Sequence, residues 1–333
     1  MRGDLMILVT GGAGYIGSHL VKRLQDQNKE VVVFDNFEKG HRWAVKDVQV
    51  VEGDLRNEKD IDYAFENYKI DEVYHFAAFS LVGESMTEPN KYFNNNICGT
   101  LNLLKNMQKH KCRYIVFSST AAVYGEPEKV PITENQPKNP TNIYGQSKLM
   151  IEDILNWYSK LDIIRYVALR YFNAAGAYYD GSIGEAHEPE THLIPLVLET
   201  ALGKRDQLYV YGNDYPTKDG TAVRDYIHVM DLIDAHILAM KWMKENEKSD
   251  VFNLGNGQGF TVLEVIKTAE KVTSKKINYE VVERRPGDPA VLIASSKKAE
   301  EVLNWHPQNK ELEKIISDAW KWHKNKDKNV LGG

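Results

Sequence analysis

The feature that most restricts the fold is a glycine run placed just after a short apolar segment. Leu5–Val9 (LMILV) and Thr10 lead into Gly11-Gly12-Ala13-Gly14-Tyr15-Ile16-Gly17, a G-x-x-G-x-x-G spacing that opens an amphipathic stretch over Gly17–Gln25. A buried strand that turns sharply into a helix needs residues without side chains at the turn. The same glycines let backbone N–H groups approach a pyrophosphate at the positive end of a helix dipole. Gly11, Gly14, Tyr15, Ile16 and Gly17 are therefore candidate dinucleotide contacts. A glycine run of this kind also occurs in turns that bind nothing, so its meaning rests on what surrounds it.

The surroundings repeat the strand–helix alternation. Glu30–Asp35, the segment DVQVVEGD ending at Asp54, Glu72–Ala78, Arg113–Ser119 and Tyr166–Asn173 are short apolar runs bounded by polar turns. Helical patterns cover Ile61–Asn67, Gly99–His110 and Tyr144–Tyr158. Apolar strands spaced by helices predict βαβ units. The fold class expected is α/β, a Rossmann-type doubly wound parallel sheet. Beyond Asn173 the loops become rich in Gly, Pro, Tyr and charge, as in YGNDYPTKDGTAVRDY, and suggest a smaller mixed α/β domain that binds substrate. The expected division is a dinucleotide domain over residues 1–174, with a returning segment at about 225–255, and a substrate domain over 175–224 and 256–333. A chain of 333 residues suits two such domains.

Charge narrows the partners. Asp35 ends the second strand, where a carboxylate can accept both hydroxyls of an adenosine ribose and repels a 2′-phosphate; no Arg directly follows it, Asn36 standing there instead. NAD is thus expected rather than NADP. Asp54 and Leu55 end the next strand, where they can meet adenine. The formal net charge of −5 argues against a grip on nucleic acid or an anionic membrane, and the basic KWHKNKDKN stretch is expected to be a solvated tail. No apolar run is long enough for a membrane span, and no signal peptide is expected. Two cysteines, Cys98 and Cys112, with no CxxC and no His/Cys cluster, fit a reducing cytoplasm and predict no structural metal.

The chemistry is carried by Tyr144-Gly-Gln-Ser-Lys148, a Y-x-x-x-K on the long helix. A spacing of four puts both side chains on one face, where an ammonium is expected to draw the phenol's pKa down from about 10 and make it a base for a substrate hydroxyl. Ser118-Ser119-Thr120 ends the strand that precedes this helix.

TGGAGYIG, HFAAFSLVGES, FSSTAAVYG, YGQSK, RYFNAAGA, THLIPL, GTAVRDYIHVMDL and RRPGDPA follow one another from Gly11 to Ala290. On these motifs the chain resembles the nucleotide-sugar epimerases of the extended short-chain dehydrogenase/reductase family. The resemblance implies that Tyr144 takes the proton of a sugar 4-hydroxyl while C4 gives hydride to tightly bound NAD. It further implies that Lys148 holds the nicotinamide ribose, that Thr120 bonds the same sugar oxygen, and that the 4-keto sugar is reduced again on its other face. Ser118, Phe76, Ala77, Ala78, Ser80, Asn95 and Phe172 complete the cofactor site by the same likeness. Asn173, His192, Leu193, Tyr209, Tyr211, Arg224, Arg285, Asp288 and Leu292 match positions that hold a UDP-sugar, the two guanidiniums suiting a diphosphate. Ser80 stands where many members carry Lys, His192 where Asn is frequent, and Leu292 where some have Tyr beside the C2 substituent. The last predicts room for an N-acetyl group. The helices Gly99–His110 and Ser147–Tyr158 resemble a homodimer interface.

Other functions compete. A nucleotide-sugar 4,6-dehydratase needs an acid/base pair after the Thr, and here Ala121-Ala122 follows Thr120. A non-catalytic NAD sensor has no use for Thr120, Tyr144 and Lys148 together. A simple alcohol dehydrogenase would produce net NADH.

Overall fold

The computed structural model describes residues 5–285 and 288–331, so Pro286 and Gly287 of the RRPGDPA motif lie outside the described residues. The chain forms two compact units. The first comprises residues 1–126, 134–170 and 235–252, and the second 127–133, 171–234 and 253–333.

In the first unit the apolar runs become a sheet. Its strands are β1 (Met6–Thr10), β2 (Val31–Asp35), β3 (Gln49–Glu52), β4 (Ile70–His75), β5 (Tyr114–Thr120) and β6 (Arg165–Tyr171). Helices α1 (Tyr15–Asp26), α2 (Glu58–Asn67), α3 (Val82–Thr87), α4 (Pro89–Tyr92), α5 (Gly99–Lys109) and α6 (Ile143–Lys160) connect them. With the later strand Asp250–Leu254 beside β6, the sheet order from the far edge is β3, β2, β1, β4, β5, β6. The pairs from β3 through β5 are parallel. The chain order reverses between β1 and β4, the switch point where such sheets bind ligands beyond the carboxyl ends of their strands. Leu8, Val32, Val73, Ile115 and Ala168, one from each of five strands, are wholly buried in one core. Burial of both faces explains why these strands read as unbroken apolar runs.

The second unit is built from β7 (Asn173–Ala175), α7 (Leu193–Ala201), β8 (Leu208–Tyr211), β9 (Val223–His228), the start of α8 (Val229–Asn246, which passes into the first unit and leads to β10, the Asp250–Leu254 strand of the first unit's sheet), β11 (Gly259–Thr261), α9 (Val262–Thr273), β12 (Tyr279–Val282), β13 (Val291–Leu292), α10 (Lys297–Leu303) and α11 (Leu312–Leu331). Strand β9 pairs with β7 and β13 in parallel and with β11 antiparallel, and β8 pairs with β12 in parallel.

Three expectations change. Residues 225–234 do not return to the first unit, because β9 bonds to three strands of the second; only 235–252 return. Residues 127–133 join the second unit, where Ile132 donates to the Ile293 carbonyl and accepts from Ser295 N–H. The KWHKNKDKN stretch is no solvated tail: it lies in α11, which buries Trp322 completely.

Candidate active site

The glycine loop is shaped by contacts that exclude side chains. Gly11 has φ +69°, and a Cβ there would lie 2.5 Å from the backbone nitrogen of Ala77; one at Gly17 would lie 2.2 Å from the Gly11 carbonyl oxygen. Helix α1 begins after Gly14 with no side chain bonded as its cap and no acid in its first turn, at Tyr15 and Ile16. A helix start of this kind favours an anion. At the end of β2 the Asp35 carboxylate accepts from Ala13 N–H at 2.9 Å and Phe37 N–H at 2.8 Å. Burial raises its pKa against those two bonds. Asp54 is more heavily engaged. Arg56 grips both of its oxygens and Asn36 donates to one at 3.0 Å, which together hold the carboxyl at about 2 despite partial burial. Leu55 beside it is buried.

Phe76 and Ala77 donate their N–H groups to the Thr10 carbonyl, fixing the loop that continues through Ala78 to the exposed Ser80. Behind this loop lies a residue that spacing alone did not single out. Asn96, buried in a π-helical turn over Phe93–Cys98, accepts from Phe79 N–H at 2.9 Å and donates to the Phe79 carbonyl and to Ser147 Oγ, both at 3.1 Å. It thereby ties the loop to α6. Its neighbour Asn95 donates to the Asn96 side chain at 3.0 Å.

The reactive groups meet between β5 and α6. Thr120, Tyr144 and Lys148 are brought together as the motif predicts, but the electrostatics differ. Lys148 is buried, and its Nζ donates to the Ser118 carbonyl at 2.9 Å. Burial lowers the Lys148 pKa to about 7, with Glu152 working the other way. Desolvation raises the Tyr144 pKa, and the Thr120 hydroxyl, hydrogen-bonded to it, is the group that lowers it. The expected pull of Lys148 on the phenol is therefore not found. Its ammonium lies 6.0 Å from the ring centroid and is turned to a backbone carbonyl. A second set of residues unseen in the motif supports the first. Glu152, one turn beyond Lys148, accepts from Arg170 Nε at 2.9 Å and Nη2 at 2.5 Å and from Ser119 Oγ at 2.6 Å, all buried, while Arg170 also donates to Tyr124 Oη at 2.8 Å.

The candidate nucleotide residues, together with Phe172, lie in the second unit. Asn173 donates to the Asp225 carbonyl at 3.0 Å. On β8, Leu208 and Val210 point into the core while Tyr209 and Tyr211 face outward. The Arg285 guanidinium stacks 3.9 Å over the Tyr211 ring. Arg224 is held by Asp288 at 2.5 Å, and Leu292 is paired directly with Arg224 across β13 and β9. Leu193 starts α7. His192, which stands where Asn is frequent, has Nδ1 2.9 Å from Glu185 and 2.9 Å from Glu190, and His187 Nδ1 lies 3.1 Å from the same Glu185 oxygen. Desolvation opposes charge on both rings, yet the two carboxylates raise His187 to about 9 and His192 to about 10.

Known proteins give this geometry a lineage. A family model described as GDP-mannose 4,6 dehydratase matches residues 8–319. The UDP-glucose 4-epimerase of Halalkalibacterium halodurans is 52% identical over 320 residues, covering 96% of each chain. The crystal structure of the Brucella ovis UDP-glucose 4-epimerase in complex with NAD superposes with a TM-score of 0.93 at 44% identity, covering 95% of this chain and 98% of that one. That of the Bifidobacterium longum enzyme with NAD+ and UDP gives 0.91 at 39% identity, covering 98% and 99%.

Proposed function

The chain belongs to the UDP-glucose 4-epimerases of the extended short-chain dehydrogenase/reductase family, and from that premise we propose how its own residues perform the reaction. The activity is reversible inversion at C4 of a UDP-hexose, an isomerisation that uses NAD and involves no net redox change. Bound NAD supplies a hydride acceptor that becomes the donor on return. The side-chain-free turn at Gly11 and Gly17, the uncapped start of α1 and the carboxylate of Asp35 fit that cofactor. Asn36, Asp54, Leu55, Phe76, Ala77, Ala78, Ser80, Asn95, Ser118 and Phe172 complete the proposed contacts.

In this reading Tyr144 takes the proton of the sugar 4-hydroxyl and gives it back. The Thr120 hydroxyl steadies the oxygen. Lys148, low in pKa through burial and bonded to the Ser118 carbonyl, holds the nicotinamide ribose. Asn173, Leu193, Tyr209, Tyr211, Arg224, Arg285, Asp288 and Leu292 hold the UDP-sugar. The observation that carries the reading is the meeting of Thr120, Tyr144 and Lys148 in the same unit as the glycine cradle. The absence of an acid/base pair at Ala121-Ala122, which fold into a short 3₁₀ turn, favours epimerisation over dehydration. A homodimer is proposed because Leu101 on α5 and Met150 and Trp157 on α6 are exposed. A cytoplasmic setting is proposed from the two free cysteines. The test is purified protein incubated with UDP-galactose and no added cofactor. UDP-glucose is expected at equilibrium with no accumulation of NADH; net NADH production would refute the reading.

A further inference from the structure

We propose that Glu185, His187, Glu190 and His192 form a binding site for one divalent cation of the zinc type, which braces the loop that leads into α7. Among the described residues these four are the one group of three or more His, Cys, Asp or Glu side chains placed to hold a metal, with one ligand atom from each lying within 4.8 Å of the others. The donor set, two imidazoles and two carboxylates, suits zinc. In a tetrahedral site with bonds of about 2.0–2.2 Å, ligand atoms sit about 3.3–3.6 Å apart. Here His187 Nδ1 is 3.1 Å from Glu185 Oε1 and 3.7 Å from Glu190 Oε2, and His192 Nδ1 is 2.9 Å from Glu185 Oε1. The spacing brackets the tetrahedral edge, so a cation can enter with small shifts of side chains that already converge. Two carboxylates and one divalent cation with neutral imidazoles leave the cluster without net charge, which matters because the Glu185 and Glu190 side chains are only 5% and 7% exposed.

The backbone beneath the cluster is fixed independently of any ion. Trp322 Nε1 donates to the Glu185 carbonyl at 2.9 Å, and a Cβ on Gly184 would lie 2.3 Å from the same indole. Glu190 also accepts the N–H groups of Thr191 and His192 at 2.7 and 2.8 Å. Ligands held this way lose little further freedom on binding metal. The site touches function through position: His192 is the N-cap of α7, and Leu193, a candidate nucleotide contact, is its first residue.

The experiment uses the full chain, freed of metal with a chelator, incubated with two equivalents of zinc, passed over gel filtration and assayed for metal by mass spectrometry. One zinc per chain is expected for wild type. In His187→Ala and Glu190→Gln, both checked for native circular dichroism, zinc affinity is expected to fall by at least about 100-fold, more than loss of a partner outside the ligand set costs. Should either variant fail to fold, zinc X-ray absorption on wild type still decides, with a four-coordinate nitrogen/oxygen environment and imidazole scattering expected. Wild type that retains no zinc, variants that retain it as well as wild type, or a spectrum with sulfur from Cys98 or Cys112 would each overturn the site.

Discussion

Lys148 in the first unit is 3% exposed, whereas Tyr209 in the second is 47% exposed, and the contrast extends to their neighbours. Around Lys148 the polar groups are buried and saturated: Ser118, Ser119, Thr120, Glu152 and Arg170 are all sunk in the core and bonded to one another or to the backbone. Around Tyr209 the candidate binding groups lie on an outward strand face, with Arg285 stacked on Tyr211. Burying charge near a reacting atom is costly and fixes geometry to tenths of an ångström, which proton and hydride movement require. A diphosphate and a base need area and charge, which surface rings and guanidiniums supply with less rigidity. In the proposed reading the first region holds one arrangement and the second grips the nucleotide.

The sharpest way to break this contrast is Tyr144→Phe. Turnover is expected to fall by about 10²–10⁴-fold or more, as loss of a general base does, with NAD still bound. Near-normal turnover would remove Tyr144 from the chemistry. Next comes Glu152→Ala, which leaves the Arg170 charge buried without its partner. A loss of about 3–5 kcal/mol in urea unfolding is expected; a loss under about 1 kcal/mol would mean the buried network is not what fixes Thr120 and Lys148. Asp35→Ser removes a charged acceptor and should weaken NAD retention by about 1.5–3 kcal/mol while narrowing discrimination against NADP. Wild type that keeps NADP as well as NAD contradicts this role.

A pH measurement sharpens the picture of the first unit's interior. His75 is buried, and burial, with Lys148 adding to it, lowers its pKa to about 3. Thr100 donates to the Asn96 carbonyl at 2.5 Å, so His75 Nε2 must donate to Thr100 Oγ1 and Nδ1 must accept from Thr10 at 2.7 Å; the ring is neutral. Because the folded pKa is depressed below the unfolded value of about 6.5, the unfolded chain binds the extra proton. Stability is full above about pH 6.5 and is lost as pH falls toward 3. From pH 7 to pH 5 this one group should cost about 2 kcal/mol. His75→Gln, compared with wild type by chemical denaturation across that range, should flatten the slope; an unchanged slope contradicts the assignment. The smallest effect is expected in the second unit, at Leu292→Tyr. If Leu292 leaves room beside the sugar's C2, wild type should epimerise UDP-N-acetylglucosamine as well as UDP-glucose, and the variant should shift the kcat/KM ratio by about 1 kcal/mol against the N-acetyl sugar. An unchanged ratio removes Leu292 from the gate.

The same division separates what could be read from the amino acids and what could not. Wherever one local rule governs, the sequence by itself determined the result. The apolar runs that became β1, β2, β4 and β5 are parallel strands of the sheet interior, and the more polar β3 lies at its edge. The glycines at 11 and 17 had to be glycine because backbone closes on them, and Tyr144 and Lys148 share a helix face because four residues make about one turn. Only the tertiary structure decided the rest, because it depends on groups far apart in the chain. Arg170 on β6 reaches Glu152 on α6, and Asn96 reaches Phe79 and Ser147. Strand β9 leaves the first unit because three distant strands satisfy its backbone. The Tyr144 pKa follows desolvation rather than the neighbouring ammonium, and burial is a property of the packed chain. Even the cluster at 185–192, short as it is, needed the fold: a turn anchored on Trp322 brings its His and Glu side chains to one point, and no cysteine spacing announces it.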